Sequence, residues 1–431
     1  MNDDLCTPSE HNLSRRRILG TIGAAAAGAG VNGLGGILHP AVAAEIEKNN
    51  RQVLFVWTDG GMGQAESWDP KPNTRFGGPF RSIPTAIPGY HVSELMPRLA
   101  KLTDQMTIVR NMHTQDNSHS GGVPRMLRGD PANRGVVYPY VGSAISKLMG
   151  PGESGLPPYV WIKPGSGGFK PENAGFLGPK YGALAFGDGK PPENFVRPAT
   201  ISAEQDAARN ELRQRFSDRY AAPRRKNANE AQSYVYDMAR KLMERADLFD
   251  TTKLPESDLD RYGRTELGQH MLVARNMLEA GVRFVQVTSY GWDTHGDHFN
   301  ASASLIPKFD MALASMIEDL GDRGMLDNVL VIAMSEFGRT PRINGHHGRD
   351  HYPEAWSMAM AGVGIQKGAV IGSTDKDGVF VDDPHGYDIG SVFHTWYHAL
   401  GIDSLNEEFF NNDQPLPIAH PEMMPIKEAL V

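Results

Sequence analysis

The chain has 431 residues, 40% of them apolar and 22% charged, with a formal net charge of −8. That composition gives a globular protein with one large domain or two ordinary ones, and it argues against a nucleic-acid partner, which would want a basic surface. The single cysteine, Cys6, lies at the N-terminus, so the rest of the chain forms no disulfide and no thiolate metal site.

Taken in order, Ser14-Arg15-Arg16-Arg17 precedes an Ala- and Gly-rich run from Thr21 to Leu38, and Ala41-Val42-Ala43 offers a small-residue cleavage site. This layout predicts a twin-arginine signal peptide over residues 1–44. It implies passage through the twin-arginine translocase and a periplasmic or cell-envelope location in a bacterium. The run is too weakly hydrophobic to span a membrane comfortably, and no later stretch is long and apolar enough, so the exported protein is expected to have no stable membrane span. Residues 45–431 are expected to form the folded domain.

Arg51–Trp57 reads as a buried strand running into Asp59 and the glycine-rich loop Gly60-Gly61-Met62-Gly63. Those glycines let backbone N–H groups approach a ligand, but their spacing does not fit a dinucleotide fingerprint, which disfavours a nicotinamide oxidoreductase. At Asp69, just before Pro70, a ligand carboxylate and plain turn chemistry are both open. Ser93–Leu102 predicts an amphipathic helix capped by its serine, and Met106–Arg110 a strand. A polar loop then carries His113, Asp116, Asn117, Ser118, His119 and Ser120 into a short helix ending at Gly129. A helix N-terminus seats an oxyanion or an activated nucleophile, although the same residue types also serve as caps and turns.

Pro151–Pro198 reads as a long ordered loop over the sheet, and Ser202–Arg224 and Asn229–Asp250 as charged helices. The 165–260 region is therefore expected to be an insertion or lid. Helix Thr265–Ala280 feeds a strand from Val282, and helix Ser304–Arg323 returns to strand Val329–Met334. Strand–helix–strand implies parallel pairing. Trp356–Ala361 reads as a further strand, Gly364–Thr374 as a hairpin-like tail and Ile389–Leu400 as the closing helix.

Three buried strands thus end in acids: Asp59, Asp293 (followed by His295, Asp297 and His298) and Glu336. Ligands of an open α/β sheet bind beyond the carboxyl ends of its strands. With Asp350 and His351 from a second histidine-rich loop, the candidate metal ligands are Asp59, Asp293, His295, Glu336, Asp350 and His351. Oxygen and imidazole donors suit Zn, Mn, Mg or Ca. Any one of these residues could be a turn or solvated residue; their repeated placement at strand ends makes the set. Arg339 offers a guanidinium fork to an anion, or a salt bridge to a neighbouring acid.

The leader, together with Trp57–Gly63, Ser67–Pro72, Gly291–Gly296, Ser335–Pro341 and Gly348–His351, resembles the domain of unknown function 1501 family, a sulfatase-like branch of the alkaline phosphatase superfamily. The resemblance covers nearly the whole chain after the leader. It implies an alkaline phosphatase-like fold, a three-layer α/β/α sandwich with a mostly parallel central sheet and a loop and helical insertion. It also implies one or two divalent metals and hydrolysis of phosphate or sulfate esters. By position, Asp59 resembles the metal-binding Asp that ends the first strand, and Asp293 with His295 the Asp–His pair after a later strand. Ser335–Gly338 resembles the Ser-Asp-His-Gly ligand turn, and His351 the late histidine.

The chain departs from that pattern where the chemistry is concentrated. Counting back from Gly129, the sulfatase nucleophile position falls on His119, with hydroxyls only beside it at Ser118 and Ser120. No cysteine is placed to become formylglycine, Glu336 stands for the usual Asp, and Phe337 for a metal-binding His. Two expectations follow. One is an exported metal-dependent hydrolase of a small-molecule or glycan phosphate or sulfate ester, with Ser118, His119 or Ser120 as nucleophile or base. The other is a catalytically altered metal- or anion-binding protein of the cell envelope.

Overall fold

Seven consecutive buried residues, QVLFVWT, form β1 (Gln52–Thr58), and alternate side chains enter two separate cores. β-Branched and aromatic residues favour the pleated backbone, and burial on both faces removes the polar alternation of a surface strand. Leu54 and Val56 point into one core, and Val53, Phe55 and Trp57 into the other. Phe55 alone packs on Trp57, Phe284 and Trp396 with ring centroids 5.8–5.9 Å away. Burying such a ring is worth roughly 1.5–3 kcal/mol.

The structure, a computed structural model, describes residues 50–431 apart from 133, 153, 192–196, 222–225 and 383–385, with backbone alone at 221 and 226–231. The expected leader, residues 1–44, lies outside the described residues. Among those described, no helix is long and apolar enough to cross a membrane.

β1 sits in a nine-stranded sheet with β2 (Met106–Met112), β3 (Tyr159–Lys163), β4 (Gly168–Lys170), β5 (Ala183–Gly187), β6 (Phe284–Ser289), β7 (Val329–Met334), β8 (Trp356–Gly362) and β9 (Ala369–Ile371). The spatial order is β9-β2-β8-β7-β1-β6-β3-β5-β4. β8 runs antiparallel to both its neighbours and β4 to β5; every other pair is parallel. One face is covered by α5 (Glu266–Glu279) and α6 (His298–Asp322). The other is covered by α1 (His119–Arg128), α2 (Val141–Met149) and α7 (Ile389–Ala399). The expected three-layer α/β/α sandwich is the observed one.

Several local expectations need correction. Ser93–Leu102 is not an amphipathic α-helix; the chain forms a 3-10 helix over Leu99–Gln105. Residues 151–198 are not a loop over the sheet, because β3, β4 and β5 extend the sheet at that edge. Their brevity and the glycines and prolines between them hid the strand pattern. The tail after residue 364 is no hairpin: β9 joins the opposite edge, parallel to β2. Helices α3 (Ala203–Ala221) and α4 (Lys226–Met243) lie outside the sheet, as expected of that charged stretch. α6 begins at His298, six residues before the expected start, because His298 and Ser302 turn inward.

The 3-10 helix gains a cap from a distance. Asp310 on α6 accepts from the backbone N–H groups of Arg98 and Leu99 at 3.0 and 2.8 Å. Burial nevertheless pushes its carboxyl up to about 6, the two backbone bonds only partly offsetting it. A folded value above the unfolded one means the folded state binds the proton more tightly, so stability falls as pH rises through that window. Between pH 7 and 5 the protein is expected to gain about 1 kcal/mol from this group. Urea titrations of wild type and Asp310→Asn at both pH values check it, since the asparagine variant should show a smaller difference.

Candidate metal centre

β1, β6 and β7 are neighbours and parallel, with Thr58 opposite Ser289 and Trp57 opposite Met334. The acids that follow them therefore emerge at one rim of the sheet. Asp59 N–H donates to the Ser289 carbonyl at 2.9 Å, and Gly60 N–H donates to Glu336 Oε1 at 2.9 Å. Gly60 has φ +110°, and a Cβ there would sit 2.5 Å from the backbone nitrogen of Asp293. The glycine-rich turn thus presses against the two other acid-bearing segments.

Asp293 is the centre of the cluster. Its Oδ1 lies 3.0 Å from Nε2 of His351 and 3.0 Å from Nε2 of His295, and its Oδ2 lies 3.3 Å from Nε2 of His119. One ligand atom each from His119, Asp293 and His351 falls within 4.8 Å of the others, while His295 Nε2 is 3.0 Å from His351 Nε2. His119 comes from the first turn of α1, Asp293 and His295 from the loop after β6, and His351 from a two-residue strand paired with Gly338–Arg339.

The outer nitrogens of all three rings are engaged. Nδ1 of His351 faces the Asn117 carbonyl at 2.6 Å, Nδ1 of His295 faces Asp350 Oδ1 at 2.7 Å, and Nδ1 of His119 faces Glu336 Oε1 at 2.8 Å. With carbonyl and carboxylate oxygens behind them, the rings in their neutral form carry the hydrogen on Nδ1 and turn Nε2 inward, free to bind a cation. Three Nε2 atoms and a carboxylate meet at about 3 Å, an arrangement satisfied either by protons on the rings or by a cation among them. Outer acceptors that fix the tautomer and orientation of imidazoles are the usual support of a metal site.

Burial opposes ionisation of Asp293, but the Arg339 and His351 hydrogen bonds and the nearby positive charge outweigh it and hold the carboxyl well below the usual range. The hydrogen bond to Glu336 leads in raising His119, partly opposed by burial. Glu336 is fully buried, which pushes its carboxyl up against the pull of His119, and its Oε2 has no hydrogen-bond partner among the described residues. Asp350 is lowered chiefly by its bond from His295.

The six expected ligands therefore separate by position. Asp293, His295 and His351 meet, joined by His119, which sequence reasoning placed as nucleophile or base. Glu336 and Asp350 stand behind imidazoles. Asp59 accepts from the Trp57 indole at 2.9 Å and lies outside the 4.8 Å cluster. Arg339 is fully buried, and each of its side-chain nitrogens is engaged. Nε donates to the Gly61 carbonyl, Nη1 to the Arg349 carbonyl, and Nη2 to the Gly60 carbonyl and, at 2.7 Å, to Asp293. Of its two expected roles the structure displays the salt bridge. Ser118 caps α1, accepting from Gly121 N–H and donating to Asp116 Oδ1, and the exposed Ser120 hydroxyl lies 3.4 Å from that of Ser118. Asp69 is buried away from this cluster with Lys71, Arg110 and Thr374.

A mostly parallel sheet covered on both faces, with imidazole and carboxylate donors gathered beyond its carboxyl edge, defines an α/β protein with a candidate metal centre. Residues 50–430 match the model of the family described as "Protein of unknown function (DUF1501)", and the chain belongs to that family. No curated protein matches it. Among solved structures it is similar to the alkaline phosphatase from the Antarctic bacterium TAB5, at 12% identity and TM-score 0.36 over 81% of this chain and 98% of that one. It is also similar to the PsFucS1 sulfatase from Pseudoalteromonas sp., at 12% identity and TM-score 0.36 over 85% and 73%. The C-terminal periplasmic domain of EcEptC from Escherichia coli, in complex with Zn, gives 10% identity and TM-score 0.39 over 88% and 92%.

Proposed function

We propose that this chain is an exported metal-dependent hydrolase of a phosphate or sulfate ester, its metal held by His119, His295, His351 and Asp293. The observation that carries the reading is the set of three inward Nε2 atoms around one carboxylate, each ring held from behind by an oxygen. Imidazole-rich donor sets suit Zn better than Mn, Mg or Ca, which prefer oxygen. The ester class rests on the sulfatase-like motifs of the sequence.

When bound, the ion would polarise an ester oxygen and lower the pKa of a water. The chain's own part is to hold the donors and manage charge. Arg339 neutralises Asp293 from within, so the site keeps its carboxylate ionised. Glu336 keeps the Nδ1 proton of His119 in place. With Ser118 capping a helix and His119 turned to Asp293, attack by water fits better than a covalent intermediate on a hydroxyl.

The same engagement of Ser118 and His119 also favours the second reading, a metal- or anion-binding envelope protein without turnover. Metal analysis of the purified protein, followed by phosphate- and sulfate-monoester assays, separates the two. Bound Zn or Mn with turnover supports the hydrolase; bound metal without turnover supports the binding protein; no affinity for any divalent ion sinks both. His351→Ala is expected to weaken Zn binding by more than about 100-fold, beyond the effect of losing an outer partner. Calorimetric zinc titration of metal-free protein measures it.

A further inference from the structure

Glu66 lies seven residues beyond Asp59, and no feature of its surroundings in sequence marks it. Its side chain has no exposure, and it meets Arg349 (1% exposed) and His298 (2%). Arg349 Nε and Nη2 donate to Glu66 Oε1 at 3.1 and 2.8 Å, and its remaining N–H groups reach the carbonyls of Phe76, Thr340 and Pro341. On the other side His298 Nε2 lies 2.9 Å from Glu66 Oε2, and its Nδ1 lies 2.6 Å from the Thr294 hydroxyl.

Both contacts lead directly to the metal donors. Arg349 immediately precedes Asp350 and His351; Thr294 sits between Asp293 and His295. The two donor loops are already joined by backbone bonds, Arg349 N–H to the Thr294 carbonyl and His298 N–H to the His347 carbonyl. What Glu66 adds is an anchor from that joined pair to the segment following the β1 turn, whose Gly60 N–H holds Glu336 and through it His119. The space is closed: a Cβ on Gly63 would stand 2.4 Å from Glu66 Oε2.

A buried ion pair is a poor source of stability, since well-packed apolar residues of similar size often do as well or better. What it supplies is fixed geometry. We propose that Glu66 is a positioning residue that sets where the His295–His351 pair stands relative to His119, and so sets the affinity of the metal centre. This rests on the metal reading above, and its test is built to fail separately from it.

The test compares wild type, Glu66→Gln, the apolar double variant Glu66→Met/Arg349→Met, and Asp319→Asn. The last disturbs another buried pair, Arg275–Asp319, remote from the donors. Zinc titrated into metal-free protein is expected to bind both Glu66 variants about 10–100-fold more weakly, the range for loss of an outer partner. The double variant should do so with a thermal midpoint near that of wild type, whereas Asp319→Asn should lower the midpoint and leave zinc affinity unchanged. Wild-type affinity in a folded Glu66 variant overturns the proposal. Hydrogen exchange of metal-free protein supplies a readout independent of any ion. Segments 291–298 and 344–352 should exchange faster together in Glu66→Gln, and unchanged exchange in both overturns the positioning role even if wild type takes up no zinc.

Discussion

Asp293→Asn is expected to abolish zinc uptake, a larger loss than removal of any single imidazole. The carboxylate is the one anionic group among the inward-facing donors, and all three Nε2 atoms are arranged around it. An amide of the same shape removes that charge and points an N–H₂ group at one or more of the inward Nε2 atoms. The change also leaves Arg339 buried opposite a neutral group, with Gly60, Gly61 and Arg349 carbonyls as its remaining bonded neighbours. Breaking a buried pair costs about 3–5 kcal/mol where both partners are desolvated. Asp293 is 45% exposed, so water screens part of that and a smaller loss is expected here. The sign with pH is fixed by the carboxyl lying below its usual range: its contribution is complete above about pH 4 and fades as pH falls further. Asp293→Asn should therefore bind no zinc in a titration and show a shallower acid limb than wild type in urea midpoints. Zinc binding at wild-type strength would remove Asp293 from the site.

The rim of the sheet was legible because burial on both faces forces a run of apolar residues, and the residue that ends such a run is conspicuous. Asp59, Asp293 and Glu336 were found that way. What each acid does was not legible, because roles are set by side-chain direction, which periodicity does not encode. Glu336 has one more methylene than the aspartate that the resemblance would place at that turn, and it lies behind the ring of His119, against Nδ1. Phe337, where the resemblance would place a metal-binding histidine, stacks on His351 with ring centroids 4.3 Å apart and so helps hold that ring. His119 was singled out by counting from Gly129, which is the left-handed C-cap of α1 as expected, but the count gave a position and no chemistry. Glu66 left no signal and Arg349 only its place in a motif, with no hint of their pairing: each looks like a solvated charge until the fold brings together residues 283 positions apart. The short strands β3, β4 and β5 escaped notice for the opposite reason, because strands of three to five residues are too brief to show a period.

Gly60→Ala is expected to damage folding and metal binding together, and the argument is geometric. At φ +110° a side chain is strained, costing about 1–3 kcal/mol by itself. Gly89 supplies the control, since it has φ +82° and a Cβ there would meet nothing within 4 Å. Gly89→Ala should show the backbone cost alone, with zinc affinity unchanged. At Gly60 the added carbon would also stand 2.5 Å from Asp293 N and 2.9 Å from Asp293 Cβ, atoms that no rotamer change can move away. Either β1's turn or the Asp293 loop must move. The same residue donates to Glu336 and accepts from Arg339, so any shift disturbs the support of His119 and the neutralising partner of Asp293 at once. A loss of about 3 kcal/mol or more relative to wild type is expected, against about 1 kcal/mol for Gly89→Ala. Paired urea and zinc titrations measure both effects. Equal behaviour of the two alanine variants would mean that the contact between the glycine turn and Asp293 is not what holds the donors in place.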